Sequence, residues 1–180
     1  MDRTGGFVLV VGPSGAGKDT LIGLAREDLA GDARFVFPRR LVTRPPSAHE
    51  DNIEISEPDF ARGAAAGAFA LHWRAHGLGY AIPADALEAA GRGHWIVCNV
   101  SRRVVADARR LLPRVRVVAV TASPDILAGR LAARGRAQDG DLAARLAREA
   151  PALADHTIVN EGDRASAAAR FVAYLRRQAG

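Results

Sequence analysis

An α/β fold, with a parallel sheet sandwiched between helices, is predicted by three features of the 180-residue chain. Short apolar runs recur along it, each the length of a buried strand. Several are separated by segments with apolar residues at helical spacing. The first run passes straight into a glycine-rich turn and then a helical pattern, the junction expected at the carboxyl end of a strand in such a sheet.

The first run is Phe7–Val11 and the helical pattern after it carries Leu21, Leu24, Ala25 and Leu29. Between them stands Gly12-Pro13-Ser14-Gly15-Ala16-Gly17-Lys18, followed by Asp19 and Thr20. Strand, glycine loop and helix together are the context of a phosphate-binding loop, so the core is that of a P-loop NTPase. The glycines allow consecutive N–H groups to turn inward on one anion, and the helix dipole adds to them. Lys18 then reaches the outer phosphates of a nucleotide. Lys+Arg number 25 and Lys18 is the single lysine, so the one compact ammonium stands where phosphate is to be met. Such loops usually continue with Ser or Thr as a magnesium ligand. Here Asp19 follows, so either Asp19 or Thr20 is a candidate for the metal, and Asp19 is equally suited to the first turn of a helix.

Further strands are expected at Phe35–Pro38, Phe69–Trp73, Trp95–Asn99, Val115–Val120 and Thr157–Asn160. Ser101 can cap a helix with Val104, Val105, Ala108, Leu111 and Leu112 on one face; Ser123-Pro124 opens another; the last carries Ala168, Phe171, Val172 and Leu175. From Arg39 to Pro83 the alternation breaks. A polar loop (Thr43 to Ser56), a short helix from Ser56-Glu57-Pro58 and a hairpin turning at Ala75-His76-Gly77 are expected there. One domain, 1–180, is expected: a core of 1–38 and 94–180, an insertion at about 39–83 that in a phosphoryl-transfer enzyme would form an acceptor lobe, and an arginine-rich segment at about 130–145 suited to a lid.

Arg39, Arg40 and Arg44 follow the second strand, where guanidinium forks meet anions. Glu50, Asp51 and Glu54 share the next loop and suit hydroxyls or metal-bound waters as well as plain solvent. Arg130, Arg134, Arg136, Arg145 and Arg148 cluster around Gly135 and Gly140, a pattern suited to closing over transferring phosphates; Arg134 and Arg145 are the catalytic candidates. His72, His76, His94 and His156 lack metal-ligand spacing. Cys98 lies in an apolar run as a core residue, and a lone cysteine excludes an internal disulfide.

The net charge of +5 raises nucleic-acid binding, yet the arginines are dispersed and aromatics are only 6%, so no nucleic-acid partner is expected. No apolar stretch is long enough to span a bilayer and the first is too short for a signal peptide, so a cytoplasmic protein without a membrane partner is expected. Oligomeric state is not written in the pattern; a homodimer is compatible with it.

Three blocks carry a resemblance: Gly12 to Leu21, Arg39-Arg40-Leu41-Val42-Thr43-Arg44-Pro45, and Phe69 to Tyr80. From Phe7 through Asn160 the chain resembles the ribose 1,5-bisphosphate phosphokinases of the phosphonate (carbon–phosphorus lyase) pathway, members of the guanylate-kinase-like P-loop kinases. The resemblance implies a guanylate-kinase-like fold with an acceptor-binding insertion and an Arg-rich lid. It implies ATP and Mg²⁺, a phosphorylated sugar as substrate, and 5-phosphoribosyl 1-diphosphate (PRPP) with ADP as products. Arg130 to Arg136 look like the lid and Asn160-Glu161-Gly162 like the turn near the adenine. Against guanylate kinases, Thr43-Arg44, Glu50 and Tyr80 match, while Ser47 and Ser56 replace an Arg and a Tyr that bind phosphate. Asn99-Val100-Ser101-Arg102 stands for Asp-Val-Gln-Gly, which marks Asn99 and Ser101 as substrate contacts. The donor half is kept and the GMP half altered. A guanylate kinase and a non-catalytic nucleotide-binding module are the alternatives.

Overall fold

The computed structural model describes residues 5–46, 51–133 and 153–180. Five strands form a parallel sheet in the order β2 (Phe35–Val36), β7 (Trp95–Asn99), β1 (Gly6–Val11), β8 (Val115–Thr121) and β9 (His156–Val159). β1 is its central strand, so the glycine loop emerges from the middle of the carboxyl edge. Alternation divides the core. Val8 and Val10 join Val97, Val118 and Val120 beneath α1 (Lys18–Asp28) and the last helix (Arg164–Ala179). Phe7, Leu9 and Val11 join Ile96, Cys98, Val117 and Ala119 on the opposite face, against α3 (Asp85–Gly91), α4 (Val105–Leu111) and part of a second sheet. Strands buried on both faces read as continuous apolar runs, which is why these were visible in the sequence.

The second sheet fills the expected insertion. Its order is β4 (Asn52–Glu54), β3 (Arg40–Val42), β6 (Leu78–Pro83), β5 (Phe69–Ala75). β3 pairs parallel with β4 and antiparallel with β6, and β5 and β6 form a hairpin. The hairpin turns through His76 (φ 52°) and Gly77 (φ 75°), two left-handed residues in the preferred two-residue turn. α2 (Glu57–Ala65) starts as expected, with Ser56 Oγ accepting from the Asp59 N–H and proline in the first turn.

Several expectations are corrected. Phe69–Trp73 is, as expected of the insertion, part of the first strand of its hairpin, which runs on to Ala75 in the second sheet, so the parallel sheet holds five strands. The strand expected over Phe35–Pro38 keeps only Phe35–Val36, since Pro38 has no N–H for a ladder. The polar loop contains β4, whose Asn52 is fully buried and donates from Nδ2 to the Arg44 carbonyl at 3.2 Å. Leu111 is 68% exposed and lies off the apolar face, whereas Val104, Val105, Ala108 and Leu112 are buried. α3 carries alanines at its buried positions and had no strong apolar stripe to announce it. Ser101 caps a short 3₁₀ turn, Arg102–Val104, which runs into α4. α5 (Pro124–Ala133) begins at its proline as expected.

Candidate active site

The loop from Gly12 to Lys18 is shaped by what surrounds it. Gly12, at φ 147°, passes so close to β8 that a Cβ there would lie 2.1 Å from the Val120 carbonyl oxygen. Gly17, at φ 92°, is the left-handed residue that caps α1, and a Cβ on it would meet Asn160 Nδ2 at 2.5 Å. No other residue type fits either position without displacing backbone or Asn160. Lys18 Nζ donates to the Gly12 and Pro13 carbonyls at 2.8 and 3.0 Å, folding over the start of the loop.

The outer side of the loop is held by two residues from distant elements. Arg130, on α5, donates from Nη1 to the Gly15 carbonyl at 3.3 Å and from Nη2 to the Asn160 carbonyl at 2.9 Å. Asn160, just past β9 and 3% exposed, donates from Nδ2 to the Ala16 carbonyl at 2.8 Å. Its Oδ1 is buried and has no hydrogen-bond partner among the described residues. A cleft opens among Gly15, Gly17, Thr20, Arg130, Asn160 and Arg164. Arg164 was not among the candidates. It opens the last helix after the Asp163 cap, beyond the carboxyl end of β9, and the rule that ligands bind at that edge could have found it.

A second group lies where the loop meets the second sheet. Asn99 Nδ2 donates to Asp19 Oδ1 at 2.8 Å, and Arg40 Nη2 is 3.8 Å from the same oxygen. The Arg40 guanidinium carbon sits 5.8 Å from the centre of the Tyr80 ring, and Tyr80 stacks on Trp73 at 5.5 Å with 6° between planes. The Arg40 side chain is only 13% exposed. Lys18, Asp19, Asn99, Arg40 and Tyr80 thus form a line from the phosphate loop into the insertion. Thr43, next to Arg44, locks β3 to β6: its Oγ1 accepts from the Gly79 N–H at 2.8 Å. Ser101 Oγ accepts from the Arg103 N–H at 3.3 Å, as a cap.

Arg39 points elsewhere. It pairs with Asp51 at 2.7 Å, and Asp51 also takes Arg26 of α1 at 3.1 Å. The Arg26 hydrogen bond, then the charge of Arg39, hold the Asp51 carboxyl below its usual range. Asp51 therefore ties the insertion to α1. Cys98 is buried, and desolvation pushes its thiol up to about 12. His156 stacks on Tyr174 at 4.5 Å, and burial lowers its pKa. His94 Nδ1 lies 2.6 Å from the Ala33 carbonyl. Among the described residues no three His, Cys, Asp or Glu side chains gather as a metal cluster. Glu50, Arg134 and Arg145 lie outside the described residues, as do Arg136 and Arg148.

No family model matches. The chain is 68% identical over 172 residues to the ribose 1,5-bisphosphate phosphokinase PhnN of Methylobacterium radiotolerans, covering 96% of this chain and 98% of that one. It is 51% identical over 178 residues to the protein of that name from Acidiphilium cryptum, covering 98% and 96%. The match to a bifunctional ribose 1,5-bisphosphokinase-thymidine phosphorylase of Cupriavidus pinatubonensis is 45% and covers 30% of that larger chain. In structure, a guanylate kinase from Anaplasma phagocytophilum superposes with a TM-score of 0.73 at 19% identity, covering 97% of this chain and 86% of that one. The fold is that of the guanylate kinases, and the chain belongs to the ribose 1,5-bisphosphate phosphokinase family.

Proposed function

We propose that this protein transfers the γ-phosphoryl group of ATP to the 1-phosphate of ribose 1,5-bisphosphate, releasing ADP and 5-phosphoribosyl 1-diphosphate. The observation that carries this is the line from Lys18 through Asp19 to Arg40. Lys18 of the donor loop is followed directly by Asp19, whose carboxylate lies 3.8 Å from the guanidinium of Arg40 in the insertion. A donor triphosphate on the loop and an acceptor phosphate at Arg40 then meet end to end.

An acceptor oxygen of the sugar 1-phosphate forms the new bond to the γ-phosphorus as the bond to the ADP oxygen breaks. That oxygen is already anionic, so no strong general base is required. What remains is alignment and neutralisation of charge. The backbone N–H groups from Gly12 to Gly17 cradle the phosphates. Lys18 leaves the Gly12 and Pro13 carbonyls and binds the outer phosphates. Arg130 and Asn160 shape the nucleotide side. Arg40 and Arg44 take acceptor phosphates, Tyr80 supports Arg40, and Asn99, Ser101 and Glu50 complete the sugar side. Arg134 and Arg145 close over the transferring group.

Magnesium fits the loop through Thr20, which lines the nucleotide cleft beside Gly15 and Gly17. Asp19 fits less well, because its Oδ1 accepts from Asn99 and faces a guanidinium. Held by Thr20, magnesium would neutralise charge on the donor phosphates. We place the enzyme in the cytoplasm; no helix among the described residues is long and apolar enough to cross a membrane.

Phosphorus NMR of the purified protein with Mg-ATP, given ribose 1,5-bisphosphate or GMP in parallel, tests the reading. Diphosphate resonances of PRPP together with ADP, and none of GDP, are expected. GDP formation in preference would replace the sugar by a nucleotide.

A further inference from the structure

We propose that Asp19 is a positioning residue for the acceptor side of the site, and that it acts by holding Arg40 rather than by ligating the metal. The inference rests on the kinase reading above. In phosphate loops generally this position carries a hydroxyl that meets magnesium. A carboxylate there changes what the position can hold. Arg40 carries a largely buried guanidinium: its side chain is 13% exposed and one flank faces the Tyr80 ring. Burying such a cation is costly unless an anion and hydrogen bonds accompany it. Asp19 Oδ1, at 3.8 Å, supplies the charge, and that oxygen is itself fixed by the buried Asn99 amide at 2.8 Å.

The three residues come from three elements. Asp19 begins α1 directly after Lys18, Asn99 ends β7, and Arg40 begins β3. The contact therefore joins the donor loop, the parallel sheet and the second sheet at one carboxylate. Lys18 and Asp19 are neighbours in sequence, so fixing Arg40 on Asp19 also fixes it relative to the transferred phosphoryl. That is the alignment in-line transfer requires. Tyr80 and its Trp73 partner complete the holder from the opposite flank.

The test compares Asp19→Asn, which keeps the shape and removes the charge, with Asp19→Ser, which restores the usual hydroxyl. Affinity for ribose 1,5-bisphosphate is measured by calorimetry in EDTA without nucleotide, so no metal ligation contributes. Both variants are expected to raise the acceptor Kd by about 10-fold or more, with ATP affinity changed less than about twofold. In an Arg40→Ala background, adding Asp19→Asn is expected to change the acceptor Kd by less than about twofold, since the two act as one unit. In the ligand-free protein, the NMR order of the Arg40 Nε–H is expected to fall in both variants. An acceptor Kd in Asp19→Ser equal to wild type, with more Mg²⁺ needed for half-maximal rate, would make Asp19 a metal residue and overturn the proposal. Unchanged Arg40 order in Asp19→Asn would overturn it as well. If wild-type protein itself does not bind ribose 1,5-bisphosphate, the substrate reading fails, and the order of Arg40 still decides the role of Asp19.

Discussion

Asn160→Ala should loosen the phosphate loop from behind. The side chain is 3% exposed and its Nδ2 donates to the Ala16 carbonyl at 2.8 Å. After truncation the nearest remaining donor is Arg130 Nη1, at 3.5 Å, the outer limit of a hydrogen bond. A buried acceptor stripped of its partner costs about 1–3 kcal/mol. The loss of the unpartnered Oδ1 recovers part of this, so a net loss of about 1–2 kcal/mol is expected. For a chain of this size, that lowers Tm by about 2–8 °C. Loop order is what ATP binding uses, so the ATP Kd should rise by about 5–30-fold at the same energy. The assay is thermal unfolding with and without ATP, together with calorimetric titration of ATP. A Tm within about one degree of wild type and an unchanged ATP Kd would show that the loop keeps its shape without Asn160, and the account of the site above would fail.

Lys18→Ala should lower kcat by about 10²–10³-fold while leaving the fold intact, as checked by steady-state rates and circular dichroism. A variant of near-normal rate would remove the phosphate loop from the mechanism. Cys98, with its thiol pushed up to about 12 by burial, stays protonated at pH 8–9, so a thiol reagent should react with it only after denaturant is added. Asp51→Asn should destabilise the protein at pH 7 by about 0.5–1 kcal/mol, the size of an exposed ion-pair network. The folded carboxyl titrates below its ordinary 3.8, so its contribution is present above that value and disappears as pH falls through the folded pKa. Urea denaturation of the variant and wild type at pH 7 and in strong acid should therefore converge in acid.

The parallel sheet was legible because burial on both faces demands unbroken apolar runs: Phe7–Val11, Trp95–Asn99 and Val115–Val120 are each strands with at most a residue or two added. The glycine loop was legible because its backbone shape allows so few residue types. The insertion was harder. β3 and β4 are three residues each and contain Arg40, Asn52 and Glu54, so neither alternates cleanly. Their parallel pairing is supported by the Asn52 side chain reaching the Arg44 backbone carbonyl, a contact that no local pattern announces. The site shows the same division. Arg40 could be nominated from its place after a strand, but its contact with Asp19 joins residues 21 positions apart, and the hydrogen bond from Asn99 to Asp19 spans 80. Only the fold brings them together. Arg39 and Arg40 are neighbours with one chemistry, yet one pairs with Asp51 and the other lies on Tyr80, because successive residues of an extended chain face opposite ways.

The carbonyls of Gly15 and Ala16 are held from outside by Arg130 and Asn160. Each peptide plane is rigid, so anchoring its oxygen outward aims the following N–H the other way. An arriving phosphate thus finds the turn already set, and no peptide has to flip before capture. Within the loop itself, what must still move is the Lys18 side chain, which rotates off two carbonyls, an event of picoseconds to nanoseconds for a partly exposed residue. Nucleotide capture by this loop is accordingly governed by encounter and electrostatic attraction. The rate of phosphate capture by the loop should therefore track ionic strength and viscosity.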